Sequence, residues 1–320
     1  AWVAALAIRH RGLAFAAVNP AMPMSGFVRE SKAEILTGLA KGGAPVARFI
    51  VIQATLSPEE RLREAERFLE REGLPLPIVV KPDVGQRGEG VSIARDRAGL
   101  AERLATAQGD VIVQEYISGR EFGVFYIRHP KETQGTIFSI TDKRLIGVVG
   151  DGSRTLEELI LADARAVSMA PTFLDRHAAR LGEVVAEGER FELTEVGNHC
   201  RGALFLDGGH FATPELTRAI DTVSQGYSGF YFGRYDLRVP SEDDFRAGRG
   251  FAILELNGVT SEATHIYDPQ AGLFAAWRTL FKQWRLAFEI GAENLDRGAP
   301  RTPLRELLGL IREHFFGRRR

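Results

Sequence analysis

The sequence predicts a protein of the α/β or α+β class. Signals for strands and helices alternate along all 320 residues, and no low-complexity linker interrupts them. No segment recurs at the periods typical of solenoid repeats. A chain of 320 residues with 44% hydrophobic side chains suffices for one large domain or for two to three lobes.

Charge and cysteine content exclude several functional classes. Lys plus Arg number 41 and Asp plus Glu number 42, so the net charge of −1 gives no global field for a nucleic acid. The single cysteine, Cys200, excludes an internal disulfide framework and thiolate-rich metal sites. We therefore expect a cytoplasmic protein that does not bind nucleic acid.

The first 18 residues are apolar, but three consecutive polar positions, Arg9, His10 and Arg11, interrupt them. The run falls well short of the ~20 apolar residues that span a bilayer. We expect a helix followed by a strand over residues 13–18. Membrane contact through this end stays open as an alternative. The chain begins with Ala1, so a fragment of a longer protein also stays open.

Several further elements are predicted from capping residues and periodicity. Ser57 as N-cap, Pro58 in the first turn and Gly73 as terminator predict a helix over 57–73. Residues 270–289 carry apolar side chains at helical spacing, which predicts a helix packed against the core. The other expected elements are helices at 31–39 and from Thr302 onward, and strands at 77–82, 111–117, 229–239 and 250–258.

A lysine at the end of a predicted strand precedes a loop with three glycines. Lys81 would supply a positive charge, and Gly85, Gly88 and Gly90 would let backbone N–H groups approach phosphate oxygens. A glycine loop that only joins two hairpin strands is the alternative. The pattern excludes a P-loop, in which the lysine follows the glycines, and it does not match the GxGxxG dinucleotide fingerprint.

Two later strands bring acidic and amide side chains together. Because side chains alternate along a strand, Arg234 and Asp236 share one face, as do Glu255 and Asn257. Two carboxylates and an amide form the oxygen ligand set that Mg²⁺ prefers when phosphates complete its shell. Ordinary solvent-facing residues of an antiparallel pair are the alternative.

In order and spacing, these patterns resemble the ATP-grasp superfamily of carboxylate–amine ligases over residues 76–268. The lysine with its glycine loop, the segment QEYISGREF and the strands containing GRYD and LELN are similar to those of D-alanine–D-alanine ligases. The run GDG followed by TLEELI resembles cyanophycin synthetase. The turn GNHCRGA resembles the glutamate ligases that modify ribosomal proteins.

The resemblance implies a role for each matching residue. Phosphate contacts would come from Lys81, Lys143 and the loop of Gly85, Gly88 and Gly90. The adenosine would be held by Gln114, Glu115, Tyr116 and Ile117 at the adenine and by Glu121 at the ribose. One or two Mg²⁺ ions, with Mn²⁺ as a substitute, would be held by Asp236, Glu255 as the bridge, and Asn257. Arg234 would stabilise the transition state of phosphoryl transfer. Asn198 and Arg201 would lie beside the γ-phosphate and the carboxylate that is activated.

The resemblance also implies two α+β lobes that clasp ATP behind a shortened N-terminal α/β segment. The expected divisions are an N-terminal segment, a small lobe with the glycine loop, a large lobe with the Mg²⁺ and acceptor sites, and a helical tail. Their ranges are 1–75, 76–125, 126–290 and 291–320.

The implied function is amide or peptide bond formation between a carboxylate and an amine through an acylphosphate, with release of ADP and phosphate. A small-molecule kinase and a non-catalytic nucleotide-binding module are the alternatives, and a homodimer is compatible with either. The sequence departs from D-alanine ligases after Asn257, where Glu262 and His265 replace the Ser, Pro and Gly pattern. Both residues argue against D-alanine as the substrate. We expect Cys200 to be a packed thiol rather than a nucleophile.

Overall fold

A computed structural model describes residues 1–27, 30–85, 88–194, 197, 202–303, 305–307, 309 and 312. Its helices are α1 Trp2–Arg9, α2 Lys32–Lys41, α3 Pro58–Glu72, α4 Arg97–Thr106, α5 Leu156–Ala162, α6 Ala170–Arg176, α7 Pro214–Gly226, α8 Glu242–Arg246 and α9 Leu273–Asp296. Its strands are β1 Phe49–Ile52, β2 Ile78–Pro82, β3 Ser92–Ala94, β4 Val111–Glu115, β5 Arg120–Ile127, β6 Thr136–Arg144, β7 Gly147–Val149, β8 Arg190–Glu192, β9 Leu204–Asp207, β10 Phe232–Val239 and β11 Ala252–Asn257. The mixed class predicted from the sequence is confirmed.

A four-stranded antiparallel sheet has the order β1-β4-β2-β3. Helices α3 and α4 pack on it through a core that includes Phe68, Leu104 and Val113. The predicted boundaries of α3 are confirmed by their caps. Ser57 and Glu60 form a capping box, and Gly73 ends the helix with a φ of 64°.

A five-stranded antiparallel sheet has the order β11-β10-β5-β6-β9. One face packs against α2 and α7, with Leu36 and Ile220 in that core. The other face packs against the later turns of α9, and Phe232 and Phe288 belong to the hydrophobic cluster between them. A separate pair, β7 and β8, lies with α5 and α6 around Phe173.

The predicted strand at 13–18 is wrong. Residues Ala14–Ala17 form a short 3₁₀ helix that is fully buried beside α9. A short, uniformly apolar run marks burial but does not by itself distinguish a strand from a helical turn. The helix predicted before it is confirmed as α1.

The expectation that the helix at 270–289 packs its apolar side chains into the core is only partly met. Phe288 is fully buried, but Trp277 and Phe281 are 49% and 48% exposed. The first turns of α9 therefore present aromatic residues to the surface. Of the predicted C-terminal helix, residues 305–307, 309 and 312 are helical, and the other positions from 304 onward lie outside the described residues.

Candidate nucleotide and metal site

The pairing of β10 with β11 sets the centre of the site. Arg234 lies opposite Asn257, and Asp236 lies opposite Glu255. Because directly opposed residues point to the same face, all four side chains share one side of the sheet. Each strand thus presents its predicted pair of polar side chains, and the register places the two pairs on the same face of the sheet.

Asp236 lies between two cations. Its Oδ1 accepts hydrogen bonds from Lys143 Nζ at 2.9 Å and from Arg234 Nε at 3.0 Å. Burial alone would raise the pKa of Asp236, but Arg234 and Lys143 lower it to about 2. The carboxylate is therefore ionised at neutral pH, as a metal ligand must be.

The side-chain amide of Asn257 is buried and available to bind a ligand. Its Nδ2 is buried and has no hydrogen-bond partner among the described residues. Because the two ends of an amide exchange by rotation, that position suits either a donor to a phosphate oxygen or an oxygen ligand to a cation. Together with Asp236 and Glu255, this unpartnered amide fits the oxygen set that Mg²⁺ requires. No group of three or more His, Cys, Asp or Glu side chains arranged to hold a metal ion occurs in the part of the chain that the structure describes.

Glu121 is held by cations on both sides. Lys143 Nζ donates to its Oε1 at 3.0 Å, and Arg238 donates to its Oε2 at 3.1 Å. Arg238 also donates to the carbonyl of Ile117 at 2.8 Å and lies over the ring of Tyr116, 5.2 Å from its centroid. Arg238 therefore connects Glu121, the predicted ribose ligand, with the Tyr116–Ile117 segment that is predicted to bind adenine.

A cavity of about 400 Å³ opens at this place. Tyr116, Glu121, Lys143 and Arg238 line it, and Gly197 closes one side. A Cβ atom on Gly197 would lie 2.5 Å from Glu121 Oε1, so only glycine allows this approach without displacing the carboxylate. Of the residues predicted to bind the nucleotide, Tyr116, Glu121 and Lys143 line this cavity, whereas Lys81 and Gln114 do not.

Lys81 bridges the two larger sheets. Its Nζ donates to Gln114 Oε1 at 2.8 Å and to the carbonyl of Leu254 in β11 at 3.0 Å. Burial lowers the pKa of Lys81 to about 8, against the opposing attraction of Glu255. A phosphate would be a stronger partner for this charge than two neutral oxygens.

Not every predicted adenine side chain faces this space. The Gln114 side chain bonds Lys81, whereas the Glu115 carboxylate pairs with Arg48 at 2.9 Å. Adjacent residues of a strand point their side chains to opposite faces, so Gln114 and Glu115 can both face an adenine only through their backbone groups. Of the glycine loop, Gly88 and Gly90 have φ values of 70° and 72°. Gln86 and Arg87 lie outside the described residues.

A distant segment contributes residues that the sequence analysis did not assign to the site. Lys32 Nζ donates to the carbonyl of Gly85 at 2.8 Å and lies 3.8 Å from Glu255 Oε1. Glu30 Oε1 accepts a hydrogen bond from the backbone N–H of Gly258 at 3.1 Å. Arg238 was also missed, although it continues the alternation of Arg234 and Asp236.

The segment after Asn257 passes beside Arg234. Arg234 Nη1 donates to the carbonyl of Glu262 at 3.0 Å, and the Glu262 carboxylate accepts from Tyr267 at 2.6 Å. His265 is half-buried, its Nδ1 has no partner among the described residues, and burial lowers its pKa. The predicted residues Asn198 and Arg201, with Cys200, lie outside the described residues.

Burial also controls the protonation of Glu30. Desolvation, reinforced by the charge of Glu255, raises the pKa of Glu30 from 4.5 to about 8. The folded protein thus binds one more proton than the unfolded chain between these pH values. The free energy of unfolding should fall as pH rises through that window.

We expect Glu30→Gln to remove this part of the pH dependence, up to about 5 kcal/mol between the two pKa values. Glutamine keeps the oxygen that accepts from Gly258 but carries no titrating proton. Urea unfolding of both proteins at pH 5 and at pH 8 measures the difference. An equal pH slope in the two proteins would contradict the buried, protonated state.

Paired antiparallel sheets with cationic and carboxylate side chains between them are suited to binding a nucleotide. Comparison with known families agrees: residues 30–126 match the family described as the RimK-like ATP-grasp domain. The resemblance to the ATP-grasp superfamily is therefore confirmed. This domain type implies ATP as the nucleotide.

Curated proteins similar to this chain are ligases and synthetases. A 5-formaminoimidazole-4-carboxamide-1-(beta)-D-ribofuranosyl 5'-monophosphate synthetase from Pyrobaculum aerophilum is 33% identical over 139 residues, covering 33% of this chain and 41% of that protein. The cyanophycin synthetase of Geminocystis herdmanii is 31% identical over 130 residues, covering 39% of this chain and 13% of that protein. The chain therefore matches less than half the length of these relatives.

Solved structures with similar folds include the D-alanine–D-alanine ligase of Bacillus anthracis. It has a TM-score of 0.47 and 16% identity, covering 86% of this chain and 70% of that one. The VanG D-Ala:D-Ser ligase of Enterococcus faecalis has a TM-score of 0.48 and 13% identity, covering 85% and 64%.

Proposed function

We propose that this protein is an ATP-dependent carboxylate–amine ligase. The observation that carries the proposal is the shared face of Arg234, Asp236, Glu255 and Asn257, next to the cavity lined by Glu121 and Lys143. Nucleotide binding alone needs a base pocket and phosphate contacts. Arg234, whose side chain is only 15% exposed, adds beside a metal-type ligand set what phosphoryl transfer needs.

The nucleotide would lie along the cavity. Its base would lie against the Tyr116–Ile117 segment, its ribose at Glu121, and its phosphates near Lys81 and Lys143. Asp236, Glu255 and Asn257 would hold one or two Mg²⁺ ions, which supply charge neutralisation on the phosphates when bound.

In the proposed reaction, an oxygen of the substrate carboxylate attacks the γ-phosphorus of ATP, and ADP leaves. Arg234 stabilises negative charge on the transferring phosphoryl group. The nitrogen of the amine then attacks the acyl carbon, loses a proton and expels phosphate. By resemblance, Asn198 and Arg201 would orient the carboxylate. His265, whose pKa is lowered by burial and whose Nδ1 has no partner among the described residues, is the proposed base for its proton.

The proposed domain ranges, 1–75, 76–125, 126–290 and 291–320, follow the same resemblance. The described structure offers one physical reason to separate the second and third of them. The four-stranded sheet contains β2, β3 and β4, together with β1 from the first range. The five-stranded sheet begins with β5, Arg120–Ile127, which crosses the proposed boundary at 125.

Hydroxylamine trapping tests the reaction. With the correct acid, MgATP and hydroxylamine, a hydroxamate should form without the natural amine, because an acylphosphate is electrophilic at carbon. ADP and phosphate should appear in amounts equal to the hydroxamate. Amino acids and dipeptides are the acids to screen first, and Asp236→Asn serves as the inactive control.

The alternative outcomes are distinct. A stable phosphorylated product without free phosphate would replace the ligase by a small-molecule kinase. Tight MgATP binding without ADP release for any acid in the screen would favour a regulatory nucleotide-binding module.

A further inference from the structure

The first turns of α9 and the start of α1 carry a continuous group of exposed apolar side chains. We define the aromatic patch as Trp2, Leu273, Phe274, Trp277 and Phe281. Phe274 is 82% exposed and Leu273 is 63% exposed. A patch of this kind on a folded protein marks an interaction surface more often than a single exposed residue does.

Ring contacts hold the patch together. The rings of Phe274 and Trp277 meet edge to face with centroids 6.1 Å apart, and those of Trp2 and Phe281 lie 5.3 Å apart. Trp2 also donates its indole N–H to the carbonyl of Phe281 at 3.1 Å. The two helices therefore present one surface rather than scattered side chains.

The charge around the patch has one sign. Residues 1–29 and 269–288 contain no Asp or Glu, although the whole chain has 42 of them. The Lys and Arg residues in these segments are Arg9, Arg11, Arg29, Arg278, Lys282 and Arg285. Arg285 lies 3.6 Å from Glu289 on the next turn, and Lys282 lies over the ring of Phe138. A cationic surface with exposed aromatic rings results.

Aromatic rings flanked by Lys and Arg are the combination that binds the interface of an anionic bilayer. The rings enter the headgroup region, and the cations meet the lipid phosphates. No helix in the described ranges is long and apolar enough to cross a membrane, so binding would occur in the plane of the surface.

A second copy of this chain suits the patch less well. A two-fold axis through the patch would bring Arg278 and Lys282 of one copy against the same cations of the other. No acidic side chain lies in either segment to compensate this repulsion.

We propose that α1 and the first turns of α9 bind the surface of anionic phospholipid bilayers. The helix that carries most of the patch also contacts the candidate site. Gln283 in α9 is buried and bonds both the N–H of Ala263 at 3.0 Å and the carbonyl of Ser261 at 2.7 Å. Docking would therefore place the segment after Asn257 near the membrane surface.

Vesicle flotation tests the proposal with the full chain. The protein should float with phosphatidylcholine vesicles that contain roughly 30% phosphatidylglycerol, and not with pure phosphatidylcholine vesicles. High salt should weaken the binding, and tryptophan emission should shift to shorter wavelength on binding because Trp277 leaves water.

Two variants separate the contributions of the rings and of the charges. Phe274→Ser with Trp277→Ser, and Arg278→Glu with Lys282→Glu, should each reduce vesicle binding at least about tenfold. Leu161→Ser, at an exposed apolar position (48%) on α5, is the matched control and should bind as the wild type does. Unchanged thermal unfolding of all variants shows that the fold is retained.

The proposal is overturned if the wild type ignores anionic vesicles, or if either double variant binds as well as Leu161→Ser. A wild-type dimer that Phe274→Ser with Trp277→Ser converts to a monomer, without vesicle binding, would assign the patch to a second copy instead. Binding is measured without nucleotide, so the result is independent of the proposed ligase activity.

Discussion

Glu255→Gln should lower turnover by roughly 10³-fold while leaving the fold intact. The substitution keeps the size of the side chain but removes one of the two negative charges that Asp236 and Glu255 offer to Mg²⁺. The only ion-pair contact of Glu255 among the described residues is Lys32 at 3.8 Å, so little native stabilisation is lost.

ADP release at a series of Mg²⁺ concentrations measures this effect. The variant should need more Mg²⁺ for its residual activity, because the missing charge weakens cation binding. Glu132→Gln, on an exposed loop, is the matched control and should retain wild-type activity. Wild-type turnover of Glu255→Gln at ordinary Mg²⁺ would remove Glu255 from the proposed ligand set.

Lys81→Met should weaken MgATP binding by about 10²-fold or more, because the ATP phosphates would lose the buried ammonium as a cationic partner. The wild type should also bind MgATP less tightly as pH rises through about 8, where burial places the pKa of Lys81. The free protein loses the positive charge in that range, so binding must then include uptake of a proton. Calorimetry at several pH values measures both effects.

The pH dependence distinguishes Lys81 from Glu30, whose pKa also lies at about 8. Lys81→Met should bind weakly with a flattened pH profile. Glu30→Gln should keep the part of the profile that comes from Lys81. If Lys81→Met retained the wild-type decrease between neutral and alkaline pH, another group would have to be responsible for it.

The predicted site depended on patterns that are local in sequence. Alternation along a strand fixed which of Arg234, Asp236, Glu255 and Asn257 share a face, and the sheet register then brought the two pairs together. The same rule extends to Arg238. By contrast, the strand predicted at 13–18 is a buried 3₁₀ turn, because an apolar run reports burial without reporting backbone geometry.

The sequence by itself determined the mixed α and β class, the capped helix at 57–73 and the paired polar faces of β10 and β11, because capping and side-chain alternation act over a few residues. Only the tertiary structure brought Glu30 and Lys32 to Gly258 and Glu255, and Lys81 to Leu254, across more than 170 residues of chain. It also decided that the first turns of α9 stay exposed. Periodicity tells which residues share a face of a helix, but only packing decides whether another element covers that face.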